Sequence, residues 1–299
     1  MDSVQLVFVA VFIGLISAVG VLFFQQRRIS HSSGSKSPFN KPSFLILGLS
    51  NSGKTALYYK IVQASCSNDE FAEEKVKESR SEIVSTVSSI EPNITTLRFP
   101  IAHDKINIPY QVIDYPGHLK LTSLLNKLMI EQITLKKIRG IMYVIDLSSL
   151  VLNNEETVQL MARQLFQLLS KTERLPTGID FCFAVNKQDL FDAKPVFKVR
   201  ELLETELNKI IHSELEAKTQ NASGITNNVE GNDDNDDEDG NGSGNSESVR
   251  DLWVSILGRP ENTFRFDMLE GNMDFLGGSV LKNKVDAWEN WFDEKLVNN

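Results

Sequence analysis

The sequence predicts an α/β fold in which a mostly parallel sheet carries helices on both faces, preceded by one transmembrane helix. Three observations predict it. Short apolar segments alternate along the chain with stretches that have helical apolar spacing. A glycine-rich motif joins the first of these apolar segments to the first helical stretch. An uncharged apolar run at residues 4–24 precedes both of them.

Composition allows a folded domain and restricts its partners. The chain has 299 residues, of which 41% are hydrophobic, so one large domain or two small ones can form a core. A net charge of −9 argues against a protein that wraps DNA or RNA, because no basic surplus exists to displace counterions. Cys66 and Cys182 lie in no CxxC motif, and we expect them to be reduced core residues rather than zinc ligands or a disulfide.

The apolar run at residues 4–24 is long enough to cross a bilayer as a helix. A cleaved signal peptide would begin with positive charge and be shorter, and a buried core helix would have a polar face. "QQRR" follows the run, so the positive-inside rule places the following chain in the cytosol and residues 1–3 on the other side. Residues 25–42 are Ser-rich and predict a flexible linker to a domain at 43–299.

The domain is predicted from its apolar segments in order. We expect strands within "SFLILG", "NITTLRFPI", "IPYQVIDYPG", "GIMYVIDLSS", "GIDFCFAVNKQD" and "MDFLGGSV". We expect helices within "GKTALYYKIVQ", residues 119–137, 153–171 and 196–218, and "VDAWENWFDEKL". Strands separated by helices predict a parallel sheet, whose ligands lie at the carboxyl ends of the strands. In the last helix, Trp288, Trp291 and Phe292 are expected to be core contacts.

Residues 219–248 interrupt this pattern. The segment is rich in Asn, Asp, Gly and Ser and has almost no apolar content, which predicts a disordered insertion within the domain. An acidic calcium loop is the alternative, but "DDNDDEDG" lacks the flanking helices and the closing Glu of an EF-hand. A solvated insertion is the default, and contact with basic ribosomal surfaces is a second alternative.

The motif "GLSNSGKT" matches G-x-x-x-x-G-K-[ST], a phosphate-binding loop. Gly48 and Gly53 let the backbone turn so that N–H groups face phosphates, and the helix that begins near Gly53 adds its positive dipole end. Lys54 reaches the terminal phosphates, and the hydroxyl of Thr55 is placed to hold Mg²⁺. The motif follows a strand and precedes a helix, which is the context that supports this interpretation.

Two further motifs end predicted strands. In "DYPGH", Asp114 can hold Mg²⁺ through water, and the glycine lets a backbone N–H approach a γ-phosphate. In "NKQD", Asp189 can accept hydrogen bonds from the N1–H and the exocyclic amine of guanine. Adenine lacks that donor pair, so this carboxylate would select GTP over ATP.

These motifs resemble the small GTPase superfamily, most closely its Arf/Sar branch. With the apolar leader, the histidine at 118 and "FLGGSV" before the final helix, nearly the whole chain is similar to the beta subunit family of the signal recognition particle receptor. The resemblance implies a P-loop small-GTPase fold that binds GTP and Mg²⁺. It implies an endoplasmic reticulum anchor with the lumen on the side of residues 1–3. It also implies that the GTP-bound domain holds the receptor's alpha subunit for cotranslational protein targeting.

Two alternatives come from other functional classes. An Arf/Sar-type trafficking GTPase recruits coat proteins, but such proteins use a retractable amphipathic or lipidated N-terminus, whereas residues 4–24 have no polar face. A P-loop kinase or ATPase is disfavoured by "NKQD". For the favoured function, we expect slow GTP hydrolysis and a nucleotide state that acts mainly as an assembly switch.

The resemblance also assigns site residues. The nucleotide-binding residues it implies are Gly48, Ser50, Asn51, Ser52, Gly53, Lys54, Thr55, Gly117, Asn186, Lys187, Asp189, Gly278 and Ser279. The metal-holding residues it implies are Thr55, Asp114 and, in switch I, Thr86, with Ser85 and Ser88 as rivals. Gly278 and Ser279 are a looser match, because "GGSV" replaces the usual S-A-K. His118 stands where many members have a water-orienting glutamine and is the catalytic candidate, with a partner contact or an inert switch residue as the alternatives.

Overall fold

The computed structural model describes residues 41–66, 86–99, 108–129, 133, 135–222 and 242–297, all within one unit, Lys41–Asn299. The predicted transmembrane segment at 4–24, the residues before it and nearly all of the linker lie outside the described residues. So does most of the predicted acidic insertion. Within the described ranges, no helix combines the length and apolar character that crossing a bilayer requires.

The strands form a six-stranded sheet in the order β2-β3-β1-β4-β5-β6 among the described residues. Their bounds are β1 Ser43–Leu47, β2 Asn93–Phe99, β3 Ile108–Asp114, β4 Ile138–Asp146, β5 Phe181–Asn186 and β6 Met273–Gly277. Every neighbouring pair is parallel except β2 with β3. The six predicted strands and the mostly parallel sheet are therefore confirmed.

The helices are α1 Lys54–Cys66, α2 Thr122–Lys127, α3 Ser149–Leu152, α4 Glu155–Thr172, α5 Val196–Ala222, α6 Gly242–Leu257 and α7 Asp286–Val297. Short 3₁₀ turns lie at Leu119–Leu121, Leu135–Lys137 and Phe266–Met268. The predicted α4 begins where the Asn154 side chain accepts the N–H groups of Glu156 and Thr157 at 3.0 and 3.3 Å, a typical N-cap.

Two predictions need correction, one of a helix and one of the bounds of the insertion. The expected single helix at 119–137 is instead a 3₁₀ turn, the short α2 and a second 3₁₀ turn within the described part of that segment. The predicted insertion at 219–248 is also too wide, because α5 continues to Ala222 and α6 begins at Gly242. Helix α6 is fixed in place by Trp253, which stacks on Phe166 of α4 with ring centroids 5.3 Å apart.

Both faces of the sheet are buried under helices. On one face, Phe44 of β1 meets Phe292 of α7 edge-to-face with centroids 4.9 Å apart. Trp288, Trp291 and Phe292 are all buried, which confirms their predicted core role. On the other face, Phe183 of β5 stacks on Phe275 of β6 at 4.2 Å. Burial on both faces explains why the central strands β1, β4 and β5 are almost continuously apolar rather than alternating.

The sheet brings the polar strand ends together at one edge. Ile46 of β1 lies beside Asp114 of β3, and Asp146 of β4 lies beside Asn186 of β5. The segment that follows β1, beginning at Gly48, leaves the sheet at this same edge. The predicted motifs therefore converge on the carboxyl ends of parallel strands.

Candidate functional site

The loop after β1 has a backbone that only glycine tolerates at two positions. Gly48 has φ +137°, and a Cβ there would lie 2.3 Å from the carbonyl oxygen of Val144. Gly53 has φ +94°, and its Cβ would lie 2.3 Å from Nδ2 of Asn186. Between them Asn51 takes φ +63°, a left-handed conformation that asparagine adopts more readily than most residues. The loop therefore fits tightly between β4 and the end of β5.

Lys54 lies at the start of α1 and is almost completely buried. Its Nζ donates to the carbonyl oxygen of Leu49 at 2.7 Å, so the side chain folds back over the loop. Burial lowers the pKa of Lys54 to about 8, an effect that the negative charge of Asp114 partly opposes. A Cβ at Gly117 would approach Lys54 Nζ to 2.5 Å, so the glycine of "DYPGH" lies directly against this ammonium.

Thr55 and Asp114 form the second part of the site. The Thr55 hydroxyl donates to Asp114 Oδ2 at 2.8 Å, and Asn93 Nδ2 donates to the same oxygen at 3.0 Å. Ser89 Oγ lies 3.3 Å from Thr55 Oγ1. Burial raises the pKa of Asp114, while the hydrogen bonds from Asn93 and Thr55 act in the opposite direction.

This oxygen cluster fits Mg²⁺. Among the described residues, Asp114 Oδ1 and Ser52 Oγ are buried without a hydrogen-bond partner. A buried carboxylate oxygen without a partner is costly, and hard oxygen ligands are those that Mg²⁺ prefers. Thr55 and Asp114 therefore meet as the sequence predicted, with Ser52 in the preceding turn.

Ser89, rather than the predicted switch I residue, lies beside Thr55 in this cluster. Thr86 is exposed and lines the same cavity, as does Ser88, while Ser85 lies outside the described residues. Ser89 and Asn93 were missed by sequence analysis, although Asn93 pairs in register with Asp114 across β2 and β3. The sequence signal that could have indicated Ser89 and Asn93 is the position of "SSIEPN" at the start of a predicted strand. Only the antiparallel register of β2 and β3 shows which of these side chains faces Asp114.

A cavity of about 340 Å³ extends from the phosphate-binding loop. It is lined by Ser50, Asn51, Gly53, Lys54, Thr55, the segment 86–90, Pro116, Gly117, His118, Lys120 and Leu121. His118 is exposed, and its Nδ1 accepts the backbone N–H of Lys120 at 3.2 Å. The cavity thus joins the phosphate-binding loop to both segments that the resemblance identifies as switches.

The "NKQD" motif is tied to the phosphate-binding loop by one side chain. Asn186 Nδ2 donates to the Ser52 carbonyl oxygen at 2.8 Å, and its Oδ1 accepts the backbone N–H of Val280 at 3.1 Å. One buried amide therefore connects the loop after β1, the end of β5 and the segment after β6. The predicted proximity of these three segments follows from these two bonds.

The remaining base-binding candidates surround that amide. Lys187 has φ +65°, and its ammonium pairs with Asp146 Oδ2 at 2.6 Å. Asp189 is exposed and accepts a hydrogen bond from the Ser279 hydroxyl, and the Gln188 N–H donates to the Gly278 carbonyl at 3.1 Å. The "GGSV" segment therefore lies against "NKQD" although it departs from the usual S-A-K.

The fold and this arrangement define the class of protein as a P-loop protein with a small-GTPase fold. The family model described as "Signal recognition particle receptor beta subunit" matches residues 39–273. The chain therefore belongs to the signal recognition particle receptor beta subunit family.

Known proteins agree with that assignment. The chain is 26% identical over 283 residues to the signal recognition particle receptor subunit beta of Saccharomyces cerevisiae, covering 94% of this chain and 96% of that relative. It is 26% identical to the Dictyostelium discoideum protein of the same name, covering 79% of this chain and 62% of that relative.

Solved structures share the fold. The mammalian SRP receptor structure matches with a TM-score of 0.55 at 20% identity and covers 85% of this chain and 99% of that one. The SRb-GTP/SRX complex from Chaetomium thermophilum matches with a TM-score of 0.55 at 24% identity and covers 85% of this chain and 98% of that one.

The buried ammonium of Lys54 predicts a measurable effect on stability. Because the folded pKa of about 8 lies below the ordinary 10.5, the unfolded chain binds more protons between these pH values, and stability rises with pH across that window. At pH 7 the burial penalty is fully present. We expect Lys54→Met to raise the free energy of unfolding at pH 7 by roughly 1–3 kcal/mol, and the gain to shrink from pH 8 to pH 10.5.

Urea unfolding of the protein without nucleotide at several pH values measures this effect. The matched control is Lys198→Met, because Lys198 is exposed on α5, and its effect should stay within about 0.5 kcal/mol. A loss of stability in Lys54→Met, or a difference in stability that does not change with pH, would contradict a destabilising burial of the Lys54 ammonium.

Proposed function

We propose that this chain binds GTP with Mg²⁺ at the site described above. As the anchored subunit of its receptor, it holds the alpha subunit at the endoplasmic reticulum for cotranslational protein targeting. The observation that carries the proposal is the Asn186 amide, which holds the phosphate-binding loop and the "NKQD" segment together at one sheet edge. Membership of the receptor beta subunit family supports the same function over that of a coat-recruiting Arf/Sar GTPase. The similarity to the SRb-GTP/SRX complex agrees with it in fold.

The triphosphate would bind where the loop after β1 surrounds Lys54. Gly48, Ser50, Asn51, Ser52 and Gly53 supply the loop, and Gly117 lies against the Lys54 ammonium. An anionic phosphate would replace the carbonyl of Leu49 as the partner of Lys54 and would offset the cost of burying this ammonium.

The metal would be held by Thr55 and Asp114. When bound, Mg²⁺ would neutralise phosphate charge. We propose that Ser89, rather than the predicted Thr86, supplies the switch I hydroxyl, because Ser89 lies 3.3 Å from Thr55 while Thr86 is exposed. Asn93 would orient Asp114 through its bond to Oδ2.

The base would be bound by the segment that begins at Asn186. Asp189 would accept the two guanine donors, and the Ser279 hydroxyl bonded to Asp189 would fix the orientation of that carboxylate. Gly278 accepts the Gln188 N–H and so keeps the last segment beside "NKQD". Lys187 would cover the base with its alkyl stem while Asp146 holds its ammonium.

Hydrolysis is expected to be slow. The Nδ1 atom of His118 accepts the Lys120 N–H, so the neutral ring carries its proton on Nε2. In that tautomer the ring can donate a hydrogen bond to a water but does not offer Nε2 as a base. The nucleotide state would therefore act mainly as an assembly switch.

Membrane attachment would come from residues 4–24, with residues 1–3 in the lumen and residues 25–42 as a cytosolic linker. The domain at 43–299 would then face the cytosol. The acidic insertion would lie between α5 and α6 in the chain, with a solvated loop as its default role and contact with basic ribosomal surfaces as the alternative.

Asp189 gives a direct test of guanine recognition. In Asp189→Asn an amide N–H replaces a carboxylate acceptor, so we expect GTP affinity to fall at least about 100-fold. Affinity for xanthosine triphosphate should rise, because xanthine carries a carbonyl where guanine carries an amine. Equilibrium titration with both nucleotides measures the exchange of preference.

The control is Asp192→Asn, three residues away, where the carboxylate instead accepts from Ser149. This variant should keep its preference for GTP. Equal losses in both variants would show that the segment was disturbed as a whole and that Asp189 has no special role.

Switch I can be tested with two alanine variants. We expect Ser89→Ala to weaken Mg²⁺-supported GTP binding by about tenfold, which is the size of one lost polar contact. Thr86→Ala should change it by less than about twofold, since an exposed hydroxyl loses little. Titrations with and without Mg²⁺ measure both, and the reverse order would restore Thr86 as the metal-holding residue.

The assembly function is tested by capture of the receptor alpha subunit. Full-length chain in detergent is loaded with GTP or GDP and mixed with the N-terminal domain of the alpha subunit. We expect recovery with GTP and several-fold less with GDP. Equal recovery in both states would contradict the switch, and recovery of coat subunits in place of the alpha subunit would favour the Arf/Sar function.

A further inference from the structure

A second polar cavity, of about 310 Å³, lies at the edge of the sheet opposite the nucleotide site. It is lined on one side by Lys136 of the 3₁₀ turn before β4 and by Arg139 at the start of β4, and on the other by the segment 175–180 that follows α4. Because β4 and β5 are parallel and begin here, this edge is as far from the "NKQD" segment as these strands allow. The cavity is thus separate from the site already described.

A break in strand pairing lies at Arg139, one of the two basic residues of this cleft. Ser43 of β1 pairs with Ile138, and Phe44 pairs with Gly140, so Arg139 is the extra residue of a β-bulge. Both Arg139 and Lys136 are exposed. Bulges commonly redirect a side chain at a sheet edge, and here the result is a guanidinium and an ammonium on one cleft.

The carboxylate of this cleft does not cancel those charges. Asp180 Oδ2 pairs with Lys295 of α7 at 3.1 Å, and its Oδ1 accepts the Asn272 N–H at 2.8 Å. Lys295 also lies 3.5 Å from Asp274. Asp180 therefore already has partners on both oxygens, and the positive charges of Lys136 and Arg139 face the cleft.

More basic side chains follow the same edge. Lys41 precedes β1 and reaches Thr96 of β2 at 3.3 Å, Arg98 is near the end of β2, and Arg174 follows α4; all three basic residues are exposed. In a chain of net charge −9, this concentration of positive charge on one edge is a local departure from the overall charge.

The chain also reaches the domain at this edge. The described domain begins at Lys41, and the proposed anchor ends at residue 24. A linker of roughly 18 residues spans at most about 60 Å when extended and about 23 Å as a flexible coil. If residues 4–24 are in the bilayer, the linker keeps Lys41 within that reach of the lipid headgroups.

We propose that this basic edge binds the anionic lipids of the bilayer, with the phosphate of one headgroup in the cleft between Lys136 and Arg139. This inference rests on the membrane anchor of the proposed function. Guanidinium and ammonium groups are the usual protein partners of phosphate. Bound in this way, the domain presents its nucleotide edge away from the membrane, where the alpha subunit can reach it.

The test uses full-length chain in nanodiscs of neutral phosphatidylcholine or of phosphatidylcholine with phosphatidylserine. Amide hydrogen exchange is measured in segments 135–139 and 174–180. We expect exchange to slow at least about threefold in the anionic discs, and high salt to remove the difference, because headgroup contacts of this kind are electrostatic. The salt series uses the unmodified chain and so needs no variant to fold.

Charge reversal identifies the residues. Lys136→Glu with Arg139→Glu should abolish the slowing, whereas Lys198→Glu with Lys209→Glu, exposed on α5, should retain it. GTP binding and resistance to carbonate extraction are measured on the same samples. A failure of the proposed function would appear in those two measurements, and a failure of the lipid contact would appear in exchange alone.

Three outcomes would overturn the proposal. The first is equal exchange in neutral and anionic discs. The second is slowing in neutral discs on addition of inorganic phosphate, which would make the cleft a site for free anions. The third is slowing with ribosomal RNA but not with anionic lipid, which would make this edge a nucleic-acid contact.

Discussion

The carboxyl ends of parallel strands must meet at one edge of a sheet, and the whole candidate site depends on that constraint. It places the loop after β1, Asp114 at the end of β3 and Asn186 at the end of β5 within reach of one another. The Asn186 amide then joins two of these segments through the Ser52 carbonyl at 2.8 Å. A change in strand order would separate the phosphate-binding and base-binding residues even if each motif kept its local shape.

The site is built at a cost to stability. Lys54 is buried with a lowered pKa, Asp114 is buried with a raised one, and Ser52 Oγ has no partner within the described residues. Each of these groups would be better solvated in the unfolded chain. A ligand that carries negative phosphates and a divalent cation would satisfy all three together, so this pattern of unfavourable burial is the energetic signature of such a ligand.

The local features of the site could be predicted from the sequence. The phosphate-binding loop, "DYPGH" and "NKQD" are contiguous motifs whose chemistry follows from residue type and spacing, and the strands β1, β4 and β5 are almost continuously apolar. Ser89 and Asn93 were missed because their position depends on the β2–β3 register, which brings residue 93 opposite residue 114. The helix predicted at 119–137 was wrong in its described part, and the predicted insertion was too wide because α6, whose Trp253 packs on Phe166, begins at Gly242.

We propose nucleotide binding at one edge of the sheet and lipid binding at the opposite edge. Nucleotide binding is the central claim. Displacement of labelled GTP from the wild-type chain in Mg²⁺, with unlabelled GTP and ATP as competitors, tests it most directly. We expect ATP to require at least about 100-fold higher concentration than GTP, because adenine cannot donate to Asp189. Displacement by ATP at a concentration comparable to that of GTP would contradict the account.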